Sequence, residues 1–307
     1  MRLLQLLLAL ALSVNAASHY VTVAGLGGEP DYEQRFSAWA RSIDQVLRQS
    51  QIGGKVHLLI GSDATREKLR ARLEEAAADC GPADAFVLML VGHGSFDGVD
   101  YKFNLPGPDI SASELAGYLN RIRAARQLVA VMTSSSGGAI EALRRENRIL
   151  VTATKSGTEK NATIFARYWA DALRDPSSDT DKNQAITVLE AFRYASQKTA
   201  AFYESQKRLA TEHPLIEDTG RGEGVRNPSP EEGSGRLAAV FTLLRFGAAQ
   251  QQANDPAKRK LFERKEELEQ QIDALKYQKA AMRSDEYKKQ LTALLLELAR
   301  TEEELEK

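Results

Sequence analysis

An unbroken run of six apolar residues, 86–91, ends in the turn Gly92-His93-Gly94-Ser95, and this stretch constrains the fold more than any other. A strand that is covered on both faces of a sheet needs such a run, and the flanking glycines let the backbone approach whatever meets the imidazole. The stretch therefore predicts a buried central strand that delivers His93 to the surface of a domain.

The pattern around this strand alternates between strand and helix from His19 onward. Such alternation is typical of α/β folds in which helices cover both faces of a mostly parallel sheet. We expect strands at 19–24, 55–60, 86–91, 128–132, 148–154 and 236–244, a long helix at 185–210 and a long loop at 212–235. The expected fold class is a three-layer α/β/α domain with a mostly parallel six-stranded sheet, formed by residues 18–249.

A second polar turn, Ser134-Ser135-Ser136-Gly137-Gly138, follows the strand expected at 128–132. Doubly wound sheets bind ligands at the carboxyl ends of their strands, where both His93 and Ser134 fall. An imidazole beside a hydroxyl is the minimum for nucleophilic catalysis, because the imidazole can accept the serine proton. The same spacing also fits a structural histidine next to a serine-rich turn, since motifs of this length recur by chance.

The first residues show an export pattern, in which Arg2 precedes an apolar run at 3–12 and small residues follow. This run is too short to span a bilayer, and its flanks are those of a cleaved secretory signal. We expect residues 1–17 to be a signal peptide that is cut after Ala16 or Ala17, with an uncleaved anchor as the alternative. The mature protein is then periplasmic or secreted and has no integral membrane span.

Charge and cysteine content narrow the expected partners. A net charge of −1 gives no electrostatic argument for nucleic acid, and the single cysteine, Cys80, excludes an intramolecular disulfide or a multi-cysteine metal site. The glycines after the first expected strand do not form a dinucleotide fingerprint, because Pro30 occupies the place of the third glycine. A protein or peptide is the expected partner, and no cofactor is required.

The chain resembles the caspase–haemoglobinase fold family of cysteine peptidases, which contains the legumain-like and caspase-like enzymes. The matching motifs are Gly92-His93-Gly94-Ser95 and Ser134-Ser135-Ser136-Gly137-Gly138, supported by the order of elements from Tyr20 to Leu244 and by the strand and loop at 151–157. The resemblance implies a six-stranded sheet, a histidine general acid/base, a cysteine nucleophile and a specificity loop after the fifth strand, where Lys155 lies.

The chain departs from the family at the nucleophile. Family enzymes have Cys-x-Ser-Gly at the second motif, whereas this chain has Ser134 in the cysteine position. A thiolate forms near neutral pH, but a serine hydroxyl needs a well-oriented base that a third group holds in place. The leading hypothesis is an exported binding or scaffold protein that has lost peptidase activity. The alternative is an active hydrolase in which Ser134 attacks, His93 transfers the proton, and the N–H groups of Gly94 and Ser134 stabilise the oxyanion.

Residues 179–190 match the spacing of an EF-hand calcium loop. Gln184 departs from that pattern, because it occupies the position where glycine permits a sharp turn. An acidic loop that caps a helix is the alternative interpretation. The candidate Ca²⁺ ligands are Asp179, Asp181, Asn183, the carbonyl of Ala185, Thr187 and Glu190.

The composition changes from Gln250 onward, where leucines and other apolar residues recur at helical spacing between charged residues. Ser284 and Asp285 interrupt the pattern and are good helix-starting residues. Residues 250–307 are therefore expected to form a helical hairpin or coiled-coil segment, which would bury its apolar stripes on the domain or on a second copy.

Overall fold

The computed structural model describes residues 17–50, 54–279 and 282–307. The expected signal peptide, apart from Ala17, lies outside the described residues, so its prediction stays a prediction.

A six-stranded sheet forms the centre of the molecule, in the order β10-β8-β7-β3-β1-β2. Five of its strands are parallel, and β10 pairs antiparallel with β8 at one edge. The strands of this sheet are β1 (Ser18–Ala24), β2 (Val56–Leu59), β3 (Ala85–Gly92), β7 (Arg126–Thr133), β8 (Arg148–Thr152) and β10 (Leu215–Glu217).

Two smaller sheets flank this centre. The first is antiparallel and consists of β4 (Gly94–Phe96), β5 (Tyr101–Phe103) and β6 (Ile110–Ser111). The second consists of β9 (Ala185–Thr187) and β11 (Thr242–Arg245).

Ten helices accompany the strands within the described residues. They are α1 (Pro30–Gln49), α2 (Arg66–Asp79), α3 (Ala112–Leu119), α4 (Ile140–Leu143), α5 (Phe165–Ala172), α6 (Val188–Ser205), α7 (Arg236–Val240), α8 (Gly247–Asn254), α9 (Arg259–Gln278) and α10 (Ser284–Glu306).

The strand β3 is covered on both faces, as its apolar run predicts. Val87, Met89 and Val91 belong to the core that packs against α1, α5 and α6. The alternate residues Phe86, Leu88 and Leu90 belong to a second core under α2, α3 and α4. Every residue of β3 is buried, and burial of each large side chain contributes roughly 1.5–3 kcal/mol. The three-layer α/β/α prediction is therefore confirmed.

The sixth strand is not where the sequence pattern placed it. Residues 236–244 form the helix α7 and part of β11, which pairs with β9 outside the central sheet. The sixth strand is instead β10, whose three residues lie within the segment 212–235 that was expected to be a loop. The residues at 185–187 likewise form β9 rather than the start of a helix, because they pair with β11.

The C-terminal helices α9 and α10 pack against each other as the predicted hairpin. Phe262, Leu268, Ile272 and Leu275 of α9 are buried, and α8 forms an additional helix before them. No helix of the described residues is long and apolar enough to cross a bilayer.

Candidate functional site

The two polar turns of the predicted site lie side by side. β3 and β7 are parallel neighbours whose register pairs Gly92 with Thr133. His93 and Ser134 are the next residues of the two strands, so they leave the sheet at the same carboxyl edge. The fold therefore brings both sequence-predicted turns together.

The Ser134 hydroxyl is bound to backbone groups of Gly94. Ser134 Oγ donates to the carbonyl oxygen of Gly94 at 3.0 Å and accepts the Gly94 N–H at 3.1 Å. The residue is 2% exposed. These reciprocal bonds connect the start of β4, just after β3, with the end of β7, and in this arrangement the hydroxyl proton and the Gly94 N–H are both engaged.

The His93 ring faces helix α1. Its centroid lies 5.0 Å from the ring of Tyr32 and 5.0 Å from that of Phe36, in edge-to-face arrangements. Burial lowers the pKa of His93, while a hydrogen bond to the backbone of Gly27 opposes the shift. Among the described residues, no hydrogen bond joins His93 to Ser134 and no carboxylate forms an ion pair with the His93 ring.

The remaining residues of the serine-glycine turn hold the ends of β7 and β8 together. Ser136 Oγ accepts the Thr154 N–H at 3.0 Å, and the Gly137 N–H donates to Thr154 Oγ1 at 3.0 Å. Ser135 has a φ of 56°, which is unfavourable for a residue with a side chain. Its N–H donates to the Glu159 carbonyl, but its buried hydroxyl has no partner among the described residues.

Phe96 of β4 covers the serine-glycine turn and the loop that the resemblance assigns to specificity. A Cβ on Gly138 would lie 2.6 Å from the Phe96 ring, and one on Gly157 would lie 2.2 Å from it. Only glycine therefore permits this close packing at both positions. The Phe96 ring thus fills the space between the serine-glycine turn and the loop at Gly157.

The expected specificity residue, Lys155, has an acidic neighbour within its own loop. Lys155 Nζ lies 3.8 Å from Glu159 Oε1, and the Lys155 N–H donates to Glu159 Oε2. Glu159 also pairs with His213. The Lys155 charge is thus partly matched inside the loop.

Glu212 is a buried carboxyl group behind this loop. It accepts the N–H groups of Ile164 at 2.8 Å and Phe165 at 3.1 Å, at the start of α5, and the hydroxyl of Tyr203 at 3.0 Å. Burial raises the pKa of Glu212 to about 7, against the opposing effect of these hydrogen bonds. The carboxyl group therefore caps the start of α5 from outside the helix, by accepting N–H groups that have no partner within the helix.

The candidate calcium loop brings three carboxylates together. Ligand atoms of Asp179, Asp181 and Glu190 lie within 4.8 Å of one another. Gln184 has a φ of 64°, so it adopts the turn for which glycine was expected. Asp179 accepts the N–H groups of Asn183 and Gln184, which closes the loop around the carboxylate. Desolvation of the carboxyl and the charge of Glu190 raise the pKa of Asp181 to about 6.

The side chains of this loop are already engaged: both Glu190 oxygens accept hydrogen bonds, from Thr180 and Thr187, and the other side-chain ligands have partners too. Asn183 Oδ1 accepts the Ala185 N–H, and Thr187 forms a capping box with Glu190 at the start of α6. The three acidic positions fit a hard divalent cation, which prefers oxygen ligands. Asn183 and Thr187 would have to turn toward it.

Sequence reasoning missed the aromatic residues that enclose the site. Tyr32, Phe36 and Phe96 come from α1 and β4, which lie at a distance along the chain from Ser134. Gly138 and Gly157 were the available signal, because a glycine often marks a close approach by another group.

No protein-family model matches the chain, and no curated protein matches it. Among solved structures, the chain is similar to a structural-genomics target protein from Geobacter sulfurreducens, with a TM-score of 0.46 and 13% identity over 70% of this chain and 95% of that one. It is also similar to the Drosophila initiator caspase Dronc, with a TM-score of 0.44 and 10% identity over 68% of this chain and 82% of that one.

Proposed function

We propose that this chain is an exported caspase- or legumain-like domain that has lost cysteine-peptidase activity and acts as a binding or scaffold protein. The observation that carries the proposal is the reciprocal pair of hydrogen bonds between Ser134 Oγ and the backbone of Gly94. A nucleophile needs its proton directed at a base. Here the proton is directed at a carbonyl oxygen.

The environment of His93 supports the same proposal. A serine nucleophile needs an imidazole that a third group orients. The His93 ring is packed against Tyr32 and Phe36, and its hydrogen-bond partner is the backbone of Gly27 rather than a carboxylate. Phe96 packs directly on Gly138 and Gly157, in the turn and in the loop that the resemblance assigns to specificity.

The second candidate is a hydrolase that uses Ser134 and His93. It is favoured by the register of β3 and β7, which leaves both residues at neighbouring strand ends. Activity would require Ser134 to exchange the Gly94 carbonyl for the imidazole. The Gly94 N–H would then become free to bind the oxyanion.

A fluorophosphonate probe separates the two candidates. We expect the purified protein to remain unlabelled and to show no peptidase or esterase turnover. A known serine hydrolase, treated with the probe in parallel, should be labelled and serves as the positive control. Labelling that is lost in both Ser134→Ala and His93→Ala would establish the hydrolase and reject the loss of activity. Labelling that persists in Ser134→Ala would place the nucleophile elsewhere.

Export and self-association are separate parts of the proposal. N-terminal sequencing of protein recovered from the periplasm or medium should begin at Ala17 or Ser18, whereas an intact N-terminus in the cell pellet would reject signal cleavage.

Leu295 and Leu296 are 47% and 56% exposed on α10, and they support self-association through the hairpin. Light scattering should show a Leu295→Glu/Leu296→Glu variant at lower mass than the wild type; equal masses would reject this contact.

We further propose that residues 179–190 bind Ca²⁺, because ligand atoms of three carboxylates converge there within 4.8 Å of one another. Calcium should raise the melting temperature of the wild type, since a ligand at 100 times its Kd stabilises a protein by about 2.7 kcal/mol. Asp181→Asn should abolish the shift, and Asp63→Asn, which alters an exposed acid elsewhere, should retain it. A wild type that melts at the same temperature in calcium and in chelator would reject the site.

A further inference from the structure

Five arginines lie at the edge of the central sheet opposite His93 and Ser134. They belong to segments 121–126 and 145–148, which lead into β7 and β8, and we call them the arginine edge: Arg121, Arg123, Arg126, Arg145 and Arg148. Glu146 is the only carboxylate residue in the two segments. None of the five forms an ion pair among residues 17–50, 54–279 and 282–307, although the Arg126 guanidinium lies 5.5 Å from the centroid of the Phe241 ring and near the charge of Glu266.

The buried member of the arginine edge, Arg148, has only neutral partners. Its guanidinium donates to Gln127 Oε1 at 3.0 Å, to the Leu143 carbonyl at 2.7 Å and to Asn120 Oδ1 at 2.9 Å. The residue is 1% exposed, and burial lowers the pKa of Arg148 to about 10. Neutral acceptors satisfy its hydrogen bonds but leave its charge uncancelled.

Two exposed members of the arginine edge are already held in place. Arg145 Nη1 donates to the Asn120 carbonyl at 3.1 Å, next to the bond from Arg148. The Arg121 guanidinium lies 4.8 Å from the centroid of the Tyr118 ring. Side chains that are held before binding lose less conformational entropy when they bind, and the planar guanidinium matches a carboxylate in two parallel hydrogen bonds.

We propose that the arginine edge binds an acidic segment of a partner polypeptide. The guanidinium groups of Arg121, Arg123 and Arg145 are exposed and come from two different segments, so they suit a chain of carboxylates better than a single small anion. The whole molecule has a net charge of −1, so the surface outside the arginine edge is net negative and would repel the rest of a long nucleic acid or an anionic membrane. The large exposed apolar residues, Leu26, Val99, Leu209, Leu295 and Leu296, all lie outside these two segments, so none is available there for insertion into a bilayer.

Fluorescence anisotropy with a labelled oligo-glutamate peptide tests the proposal. A peptide of about eight residues reaches roughly 26 Å when it is extended. Saturable binding should weaken at least about tenfold in Arg121→Glu/Arg123→Glu, because each lost pair becomes a repulsion. The matched control is Arg208→Glu/Arg226→Glu, which makes the same charge change at exposed positions elsewhere. Both variants should melt at the temperature of the wild type.

Three results would overturn the proposal: no peptide binding at low salt, an equal loss of affinity in the control variant, or binding of anionic phosphatidylglycerol vesicles that the peptide cannot displace. Ser134→Ala should leave peptide binding unchanged, because that residue is at the opposite edge of the sheet. Failure here is therefore distinguishable from failure of the fluorophosphonate experiment.

Discussion

Replacing Ser134 by alanine removes one side-chain hydroxyl and both of its hydrogen bonds to Gly94. The Gly94 N–H and carbonyl would then lose this partner; a fully buried unsatisfied group costs about 1–3 kcal/mol, but Gly94 is only half-buried, so water can satisfy part of the loss. We expect Ser134→Ala to lower the free energy of unfolding by roughly 1–3 kcal/mol in total, measured by equilibrium urea denaturation.

The neighbouring exposed serine provides the control for that measurement. Ser95→Ala removes a hydroxyl from β4 that faces solvent, so it should change the free energy of unfolding by less than about 0.5 kcal/mol. If Ser134→Ala is as stable as the wild type, the hydroxyl does not connect the two strands. The structural interpretation of Ser134 would then be wrong.

At the scale of residues, the sequence located His93 and Ser134 but not their partners. A short motif identifies a strand end, and parallel pairing brings two such ends together. The direction of a hydroxyl depends on groups that are distant along the chain: Gly94 is 40 residues from Ser134, and the rings around His93 belong to α1. Such contacts follow from register and packing, which no local pattern records.

At the scale of elements, the start of α5 depends on the charge state of Glu212. Burial holds the pKa of Glu212 near 7 instead of 4.5. Between these pH values the folded protein keeps a proton that the unfolded chain has lost, so stability should fall as the pH rises from about 4.5 to 7, by as much as ~3 kcal/mol. Glu212→Gln stays neutral and its amide oxygen can still accept one of the two N–H groups at the start of α5, so this fall should be missing from its stability curve.

The quantity to measure is the difference in free energy of unfolding between wild type and Glu212→Gln, by urea denaturation at several pH values. Glu204→Gln, on the exposed surface of α6, controls for the loss of one negative charge. A difference that is constant from pH 4.5 to 7 would show that Glu212 does not titrate in this range.

The strands that the sequence predicted well have long apolar runs, and the errors lie where runs are short or ambiguous. The run of residues 236–244 fits both helix and strand, because periodicity cannot separate the two in a short apolar segment. β10 has only three residues and is followed by a glycine-rich loop. Its place at the sheet edge is decided by pairing with β8 rather than by its own sequence.

At the scale of the whole molecule, the apolar stripes of α9 and α10 predicted a hairpin but not its docking position. The link to the sheet domain is polar as well as apolar. Arg245 of β11 forms two hydrogen bonds with Glu266 of α9, at 2.6 and 2.7 Å. The Arg245 guanidinium also lies 5.6 Å from the ring centroid of Phe262. Nothing in the helical spacing indicated that β11 would supply this partner.

A double-mutant cycle on Arg245→Ala and Glu266→Ala tests whether this pair fastens the hairpin to the domain. Both side chains are about four-fifths buried, and the contact is bidentate, so we expect a coupling free energy of about 1–2 kcal/mol by urea denaturation. The more exposed Arg264–Glu297 pair joins α9 only to α10 and should give less than about 0.5 kcal/mol. Equal coupling in the two cycles would mean that Arg245 contributes no more than a surface ion pair, and that apolar packing alone holds α9 on the domain.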